Sequence, residues 1–306
     1  MKTLLHVFSL AALVCLQGCS GCIKKSGVST QNSKAGKSKF PIPEATGNLI
    51  IEDEKDLTGY WAGTFGPDKA DSLAEDGDYE SGYNKINISL DRIDGDHLEG
   101  HTVIAGKLRP FKCSLRKTGS KYSFSFKGGS DEKTNGVYKL SITEGDSLLT
   151  GRWDGGDKAP SHDFALTKKL FSYNPDWKLE VASYVDWSKS KQITQHPDSG
   201  DTYVTERYAT TSKDLQKYNP STDVLTKEYL ANLKKADLLI LRNSIFARHG
   251  YTFKKPHLSW YFSEQSWYVP ISNDVTAELT PIEKQNLKLM APYEKYAQEF
   301  YDAYGR

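Results

Sequence analysis

Between residues 57 and 169 apolar and polar side chains alternate with a period of two, the pattern of strands buried on one face. Ile86, Ile88 and Leu90 alternate with Asn87 and Ser89, and Phe111, Cys113 and Leu115 alternate with Lys112 and Ser114. Tyr122, Phe124 and Phe126 repeat the pattern, as do Tyr138, Leu140 and Ile142. Turn-forming residues separate the runs: Asp94-Gly95-Asp96, Gly119-Ser120, Gly128-Gly129, Gly145-Asp146 and Gly155-Gly156. Eight strands are predicted, at 58–65, 83–93, 97–105, 108–117, 122–127, 136–143, 148–153 and 163–168. That number closes a small up-and-down barrel, and consecutive hairpins make its neighbours antiparallel.

From residue 225 the period becomes helical. A short helix is expected at 228–233 and a longer one at 235–249, with Gly250 as its left-handed C-cap. Arg248 and His249 fall in its last turn, where cations suit the helix dipole. A single turn is expected at 258–263. The final helix has an explicit start, with Thr280 as N-cap, Pro281 at the first position and Glu283 closing a capping box. Pro292 clashes with the Lys288 carbonyl, which predicts a kink or break near 290–291. The intervening stretch, 170–224, is weakly patterned, yet Trp177, Tyr184, Trp187, Tyr203 and Tyr208 make it too aromatic for a free linker. It reads as an irregular connector, turn-like at 188–195 and 196–200, with a strand near 202–209 and His196 on a surface loop. The fold class is therefore α+β in two domains: an antiparallel eight-stranded up-and-down barrel at 57–169, then a small helical module at 225–306.

Length and charge narrow the partners. The 306 residues suffice for two domains, and 40 Lys+Arg against 39 Asp+Glu give no global charge that favours nucleic acid. At the N-terminus Lys2 precedes an apolar run, 4–16, too short to span a bilayer and of signal-peptide length. It ends in Leu16-Gln17-Gly18-Cys19, which resembles the lipobox of bacterial lipoproteins. The resemblance implies removal of residues 1–18, a lipidated Cys19, the membrane as a partner, and a place in the bacterial cell envelope with the outer membrane expected. An ordinary secretory signal, or cleavage nearer Cys22, is the competing reading. Residues 19–47 then form a flexible tether, rich in Ser, Gly and Lys, with no acid before Glu44. Among four cysteines, Cys15 and Cys19 belong to the processing site, and Cys22 and Cys113 define no disulfide framework and no zinc spacing. Six acids between Asp68 and Glu80 face one lysine, but their spacing departs from a calcium loop and suits a solvated segment. No metal or other cofactor is expected.

Short motifs in the first domain carry one resemblance. Leu57-Thr58-Gly59-Tyr60-Trp61-Ala62-Gly63 resembles the opening strand of calycin barrels such as avidins and lipocalins, and Gly151-Arg152-Trp153 resembles a late strand of small barrel lipoproteins. This implies Trp61 and Trp153 in the barrel core, with a ligand at the open mouth as the alternative. The second domain is more specific. Phe246-Ala247-Arg248-His249-Gly250, with Leu241-Arg242-Asn243-Ser244-Ile245 before it and Tyr251, Phe253, Tyr261-Phe262, Trp267-Tyr268, Leu279-Thr280, Glu283 and Asn286 after it, resembles the YARHG domain of bacterial extracytoplasmic proteins, over 225–294. Phe246 stands where the family has Tyr. The resemblance implies location and fold rather than an activity.

A helical wheel assigns the polar groups of this module. Leu238, Leu239, Leu241, Ile245 and Phe246 define an apolar arc that also holds Arg242 and His249, with Asn243, Ser244 and Ala247 opposite. On the last helix Ile282, Leu289, Met290 and Tyr293 share a face with Glu283 and Asn286. Buried charges need partners, so Arg242 is expected to pair with Glu283, with His249 and Asn286 completing a structural network. The alternative makes His249 a general base and Arg242 an anion holder, although no nucleophile or cleft is marked. Trp260, Tyr261, Trp267 and Tyr268 are the candidate contact surface. The expected function is non-enzymatic binding or scaffolding of an envelope protein or glycan, with no catalytic residue assigned; an envelope hydrolase acting on wall glycan or peptide, or small-molecule carriage in the barrel, are the alternatives.

Overall fold

The computed structural model describes residues 49–65, 84–128, 136–156, 161–181, 183–195, 200, 202–298 and 300. The predicted signal and tether with Cys19, the acidic stretch from Asp68 to Glu80, and His196 lie outside the described residues. Nine strands among the described residues form one antiparallel sheet. They are β1 (Gly59–Phe65), β2 (Asn84–Asp94), β3 (His97–Ile104), β4 (Lys107–Ser114), β5 (Arg116–Thr118), β6 (Lys121–Lys127), β7 (Val137–Thr143), β8 (Leu148–Asp154) and β9 (His162–Lys169). The order β4-β3-β2-β1-β9-β8-β7-β6-β5 joins first and last strands, β1 to β9, and leaves the sheet nearly closed. The ninth strand comes from a division of the expected fourth: β4 pairs with β3 and β5 with β6, and the chain turns between them at Leu115. Side chains cover the seam that this turn opens, where Phe111 stacks on Phe126 at 3.7 Å and Arg109 donates to the Gly128 carbonyl at 3.3 Å.

Alternation along the strands fills the interior. Trp61, Ile86, Ile88, Leu90, Tyr122, Phe124, Leu140 and Trp153 belong to one packed cluster. Ile51 and Leu57 plug one end: Ile51 exchanges backbone hydrogen bonds with Gly145 and Asp146, and Trp61 donates its indole N–H to the Leu57 carbonyl at 2.7 Å.

Beyond the barrel, β10 (Val185–Gln195) and β11 (Tyr203–Thr210) pair as an antiparallel ribbon. The stretch 188–195, expected as turns, is thus mostly strand; its Ser and Lys side chains face water on both sides of a thin ribbon, so no apolar alternation marks it. Four helices follow among the described residues, α1 (Lys227–Ala231), α2 (Lys235–Arg248), α3 (Pro256–Ser263) and α4 (Pro281–Tyr296). Thr280, Pro281 and Glu283 start α4 as the capping signature dictates. The helix runs on through Pro292 instead of breaking. Its last turn is held from outside, by Tyr293 in the module core, by Arg242 facing Glu294, and by Lys235 N–H on the Gln298 carbonyl at 3.0 Å.

The module packs on the outer wall of the barrel. Lys85 donates its backbone N–H to Ser263 and its ammonium to the Gln265 and Tyr268 carbonyls at 2.6 and 3.0 Å. Ser259 reaches Asn84 at 2.7 Å, and the Gly106 N–H at the β3–β4 turn donates to Thr252 at 2.9 Å. Gly106 has φ +76°, and a Cβ there would lie 2.1 Å from Lys254 Cγ, so the turn both bends and fits because it carries no side chain.

Candidate functional site

Helix α2 is buried on nearly every side, with Asp237, Asn243, Ser244, Ala247 and Arg248 as inaccessible as Leu238 and Ile245. Lys235, Leu239, Arg242 and Phe246 form its outer stripe. The expected Arg242–Glu283 pair is therefore not made: the Arg242 side chain is 41% exposed and faces Glu294 at 3.6 Å. A helix apolar around most of its circumference gives the wheel no single inward direction, and the wheel put Arg242 on the wrong side.

Arg248 occupies the interior in its place. Its Nε donates to the Trp177 carbonyl at 2.8 Å, and Nη1 donates to Ser244 at 2.9 Å and Ser221 at 3.4 Å. Burial brings the guanidinium down to about 10, which leaves it charged at neutral pH. His249 does meet Glu283: Nε2 lies 2.8 Å from Oε2, and the two side chains are 3% and 0% exposed. The Tyr173 ring stacks on the imidazole at 4.1 Å and its hydroxyl donates to Glu283 Oε1 at 3.0 Å. The capping role and the pairing role of Glu283 coexist, because Oε2 also accepts the Thr280 N–H at 2.9 Å. Burial works to raise this carboxyl, but hydrogen bonds from His249, Thr280 and Ser221 outweigh it and hold the group at about 2. Asn286 sits beside this network and fixes the neighbouring loop, accepting from Leu225 N–H at 3.1 Å and donating to the Pro220 and Asp223 carbonyls at 2.8 Å. Sealed in this way, His249 lacks the access a general base requires.

The four aromatic candidates divide. The Tyr268 hydroxyl donates to the Tyr251 carbonyl and the Tyr261 hydroxyl to the Val181 carbonyl, both rings buried. Trp267 stacks on Trp177 at 5.4 Å, donates to the Lys178 carbonyl, and carries Arg248 over its face at 5.9 Å. Trp260 lines an open cleft of about 770 Å³ between the β10–β11 ribbon and α3, and one side of Tyr261 reaches it.

Trp187, which the sequence marked merely as one of many aromatics, lines this cleft together with Trp260. The β10 register breaks between Asp186 and Ser190, so residues 187–189 bulge from the ladder, a device that re-aims side chains. Asp186 holds the bulge by accepting from both the N–H and the hydroxyl of Ser188, at 3.2 and 2.6 Å. Burial works to raise its carboxyl, and the Ser188 bonds with nearby Lys189 hold it below the usual range. Trp187 itself is 55% exposed and packs edge-on against Tyr208 at 4.9 Å. His257 and Glu264 complete the walls, with the imidazole pushed down by burial and so neutral at pH 7. A tryptophan set between Asp and Ser in a largely polar strand was the available signal for this site.

Among the described residues no cluster of His, Cys, Asp and Glu is placed to hold a metal ion, and no helix is long and apolar enough to cross a membrane. The family model of the YARHG domain matches residues 212–295. Its earlier start than the first helix has a structural counterpart in Ser212, whose N–H and hydroxyl donate to buried Asp237 at 2.6 and 2.9 Å. No curated protein and no solved structure matches the chain.

Proposed function

With residues 212–295 a YARHG domain, we propose that the chain is a lipid-anchored binding protein of the bacterial cell envelope, tethered through Cys19, that holds an envelope partner in the cleft between β10–β11 and α3. The observation that carries this reading is the cleft itself, walled by Trp187, Tyr208 and Trp260 and open to solvent. A tryptophan left more than half exposed on a hydrogen-bonded bulge forgoes burial that its area would otherwise gain, and such rings are the usual anchors of binding surfaces. Binding rather than turnover is favoured because the hydrogen-bonded acid–base pair, His249 and Glu283, is buried. The apolar run 4–16, followed by Gln17-Gly18-Cys19, supports the anchor.

Two measurements test it. A labelled fatty acid should be incorporated into the chain and be lost, with the membrane association, in Cys19→Ser; a variant that still takes up label sinks the anchor. Wall fragments or envelope proteins retained by the full chain should be released by Trp187→Ala combined with Trp260→Ala while the circular dichroism is unchanged. Undiminished retention would place the contact elsewhere.

A further inference from the structure

Resting on the binding reading of the cleft, we propose that its occupant is a peptide segment that lays a cationic side chain, lysine or arginine, against Trp187 and Trp260 with its charge toward Glu264. The charged lining consists of Asp186 and Glu264, and among the described residues neither lysine nor arginine lines the cleft. Asp186 is already committed to Ser188 and lies 3.5 Å from Lys189. Glu264, by contrast, is exposed and makes no salt bridge among the described residues; Lys85 acts on it through space without closing a pair. It also caps the C-terminal end of α3, whose terminal carbonyls add negative potential on the same side.

The rings contribute in the same sense. The faces of Trp and Tyr are electronegative and attract ammonium and guanidinium groups within about 6 Å. An anionic partner would be repelled by Glu264, which makes no salt bridge among the described residues, and a neutral sugar could stack on the rings and donate hydroxyls to Glu264 but would leave its charge unbalanced. The open volume, about 770 Å³, is that of a site for a ligand of several hundred daltons rather than for a small ion alone, which favours a stretch of peptide. Charge complementarity and size therefore select the same occupant.

The test uses the full chain and a terminally blocked pentapeptide with lysine as its central and sole charged residue, alongside the same peptide with acetyllysine and an uncharged chitin tetrasaccharide. Titration followed by tryptophan fluorescence and calorimetry should show saturable binding of the lysine peptide. Binding should weaken roughly tenfold in Trp187→Ala, fall about threefold with a flatter salt dependence in Glu264→Gln, and be lost with acetyllysine. Equal binding of the acetyllysine peptide overturns the cationic assignment. So does Trp187-dependent binding of the tetrasaccharide without the peptide, although the cleft reading then stands. Lysine-peptide binding that is unchanged in both Trp187→Ala and Trp260→Ala overturns both readings. Absence of lysine-peptide binding at millimolar concentration overturns the inference.

Discussion

Glu283 is the residue on which the helical module converges, since one carboxylate caps α4, pairs with His249 and accepts from Tyr173. Its depressed acidity ties stability to pH in a definite direction. A carboxyl held near 2 in the folded chain, against its usual 4.5, contributes stability that is complete above pH 4.5 and is lost as the pH falls toward 2. The contribution is about 3 kcal/mol at neutral pH. Glu283→Gln should therefore unfold at lower urea, with a deficit that narrows by about 2 kcal/mol between pH 7 and pH 3; a deficit independent of pH would contradict the ionised pairing. Gly250 shows a different kind of constraint: its φ is +75°, and a Cβ would lie 2.4 Å from Ile271 Cγ1. At this scale much was legible in the sequence. The Thr280–Glu283 box and the Gly250 cap carry local chemistry that neighbouring residues declare. The exchange of Arg242 for Arg248 was hidden, because the choice depends on Trp177 and Ser221, which arrive from distant parts of the chain.

Among the elements, the barrel strands were legible because each buries one face, and alternation records that asymmetry directly. Helix α2 and β11 were expected at 235–249 and 202–209, but the inward face of α2 and the strand β10 escaped for opposite reasons: α2 is covered on almost all sides, and the ribbon on few. Helix α4 shows how tertiary contacts overrule a local breaker. Pro292 removes a backbone donor and crowds the carbonyl four residues earlier, yet the turn beyond it is held by Tyr293, Glu294 and Ala297. Exposed Pro292→Ala should thus stabilise the chain by about 2 kcal/mol in urea unfolding. A loss of stability would mean that the proline fits a bend the packing requires.

For the whole molecule, the decisive contact is the seating of the module on the barrel wall at Lys85 and Gly106. Burial and neighbouring Lys169 bring the Lys85 ammonium down to about 8, while two carbonyls still receive its protons. Gly106→Val should force Lys254 away and split a shared thermal transition into two in calorimetry. Gly119→Val provides the control, since Gly119 has a similar φ of +61° and nothing within 4 Å of the added Cβ; splitting in both, or in neither, would remove Gly106 from the role. The segment before the ribbon has a further consequence, for the order in which the chain closes. Tyr173, Trp177, Lys178, Glu180 and Val181 satisfy Glu283, Arg248, Trp267, Ser266 and Tyr261 respectively. During synthesis Tyr173 emerges 110 residues ahead of Glu283, when every barrel strand is already made. The finished barrel must wait beside an aromatic strap whose partners do not yet exist. Joining the two ends is the long-range step, and it bears the loop entropy that makes such closures slow.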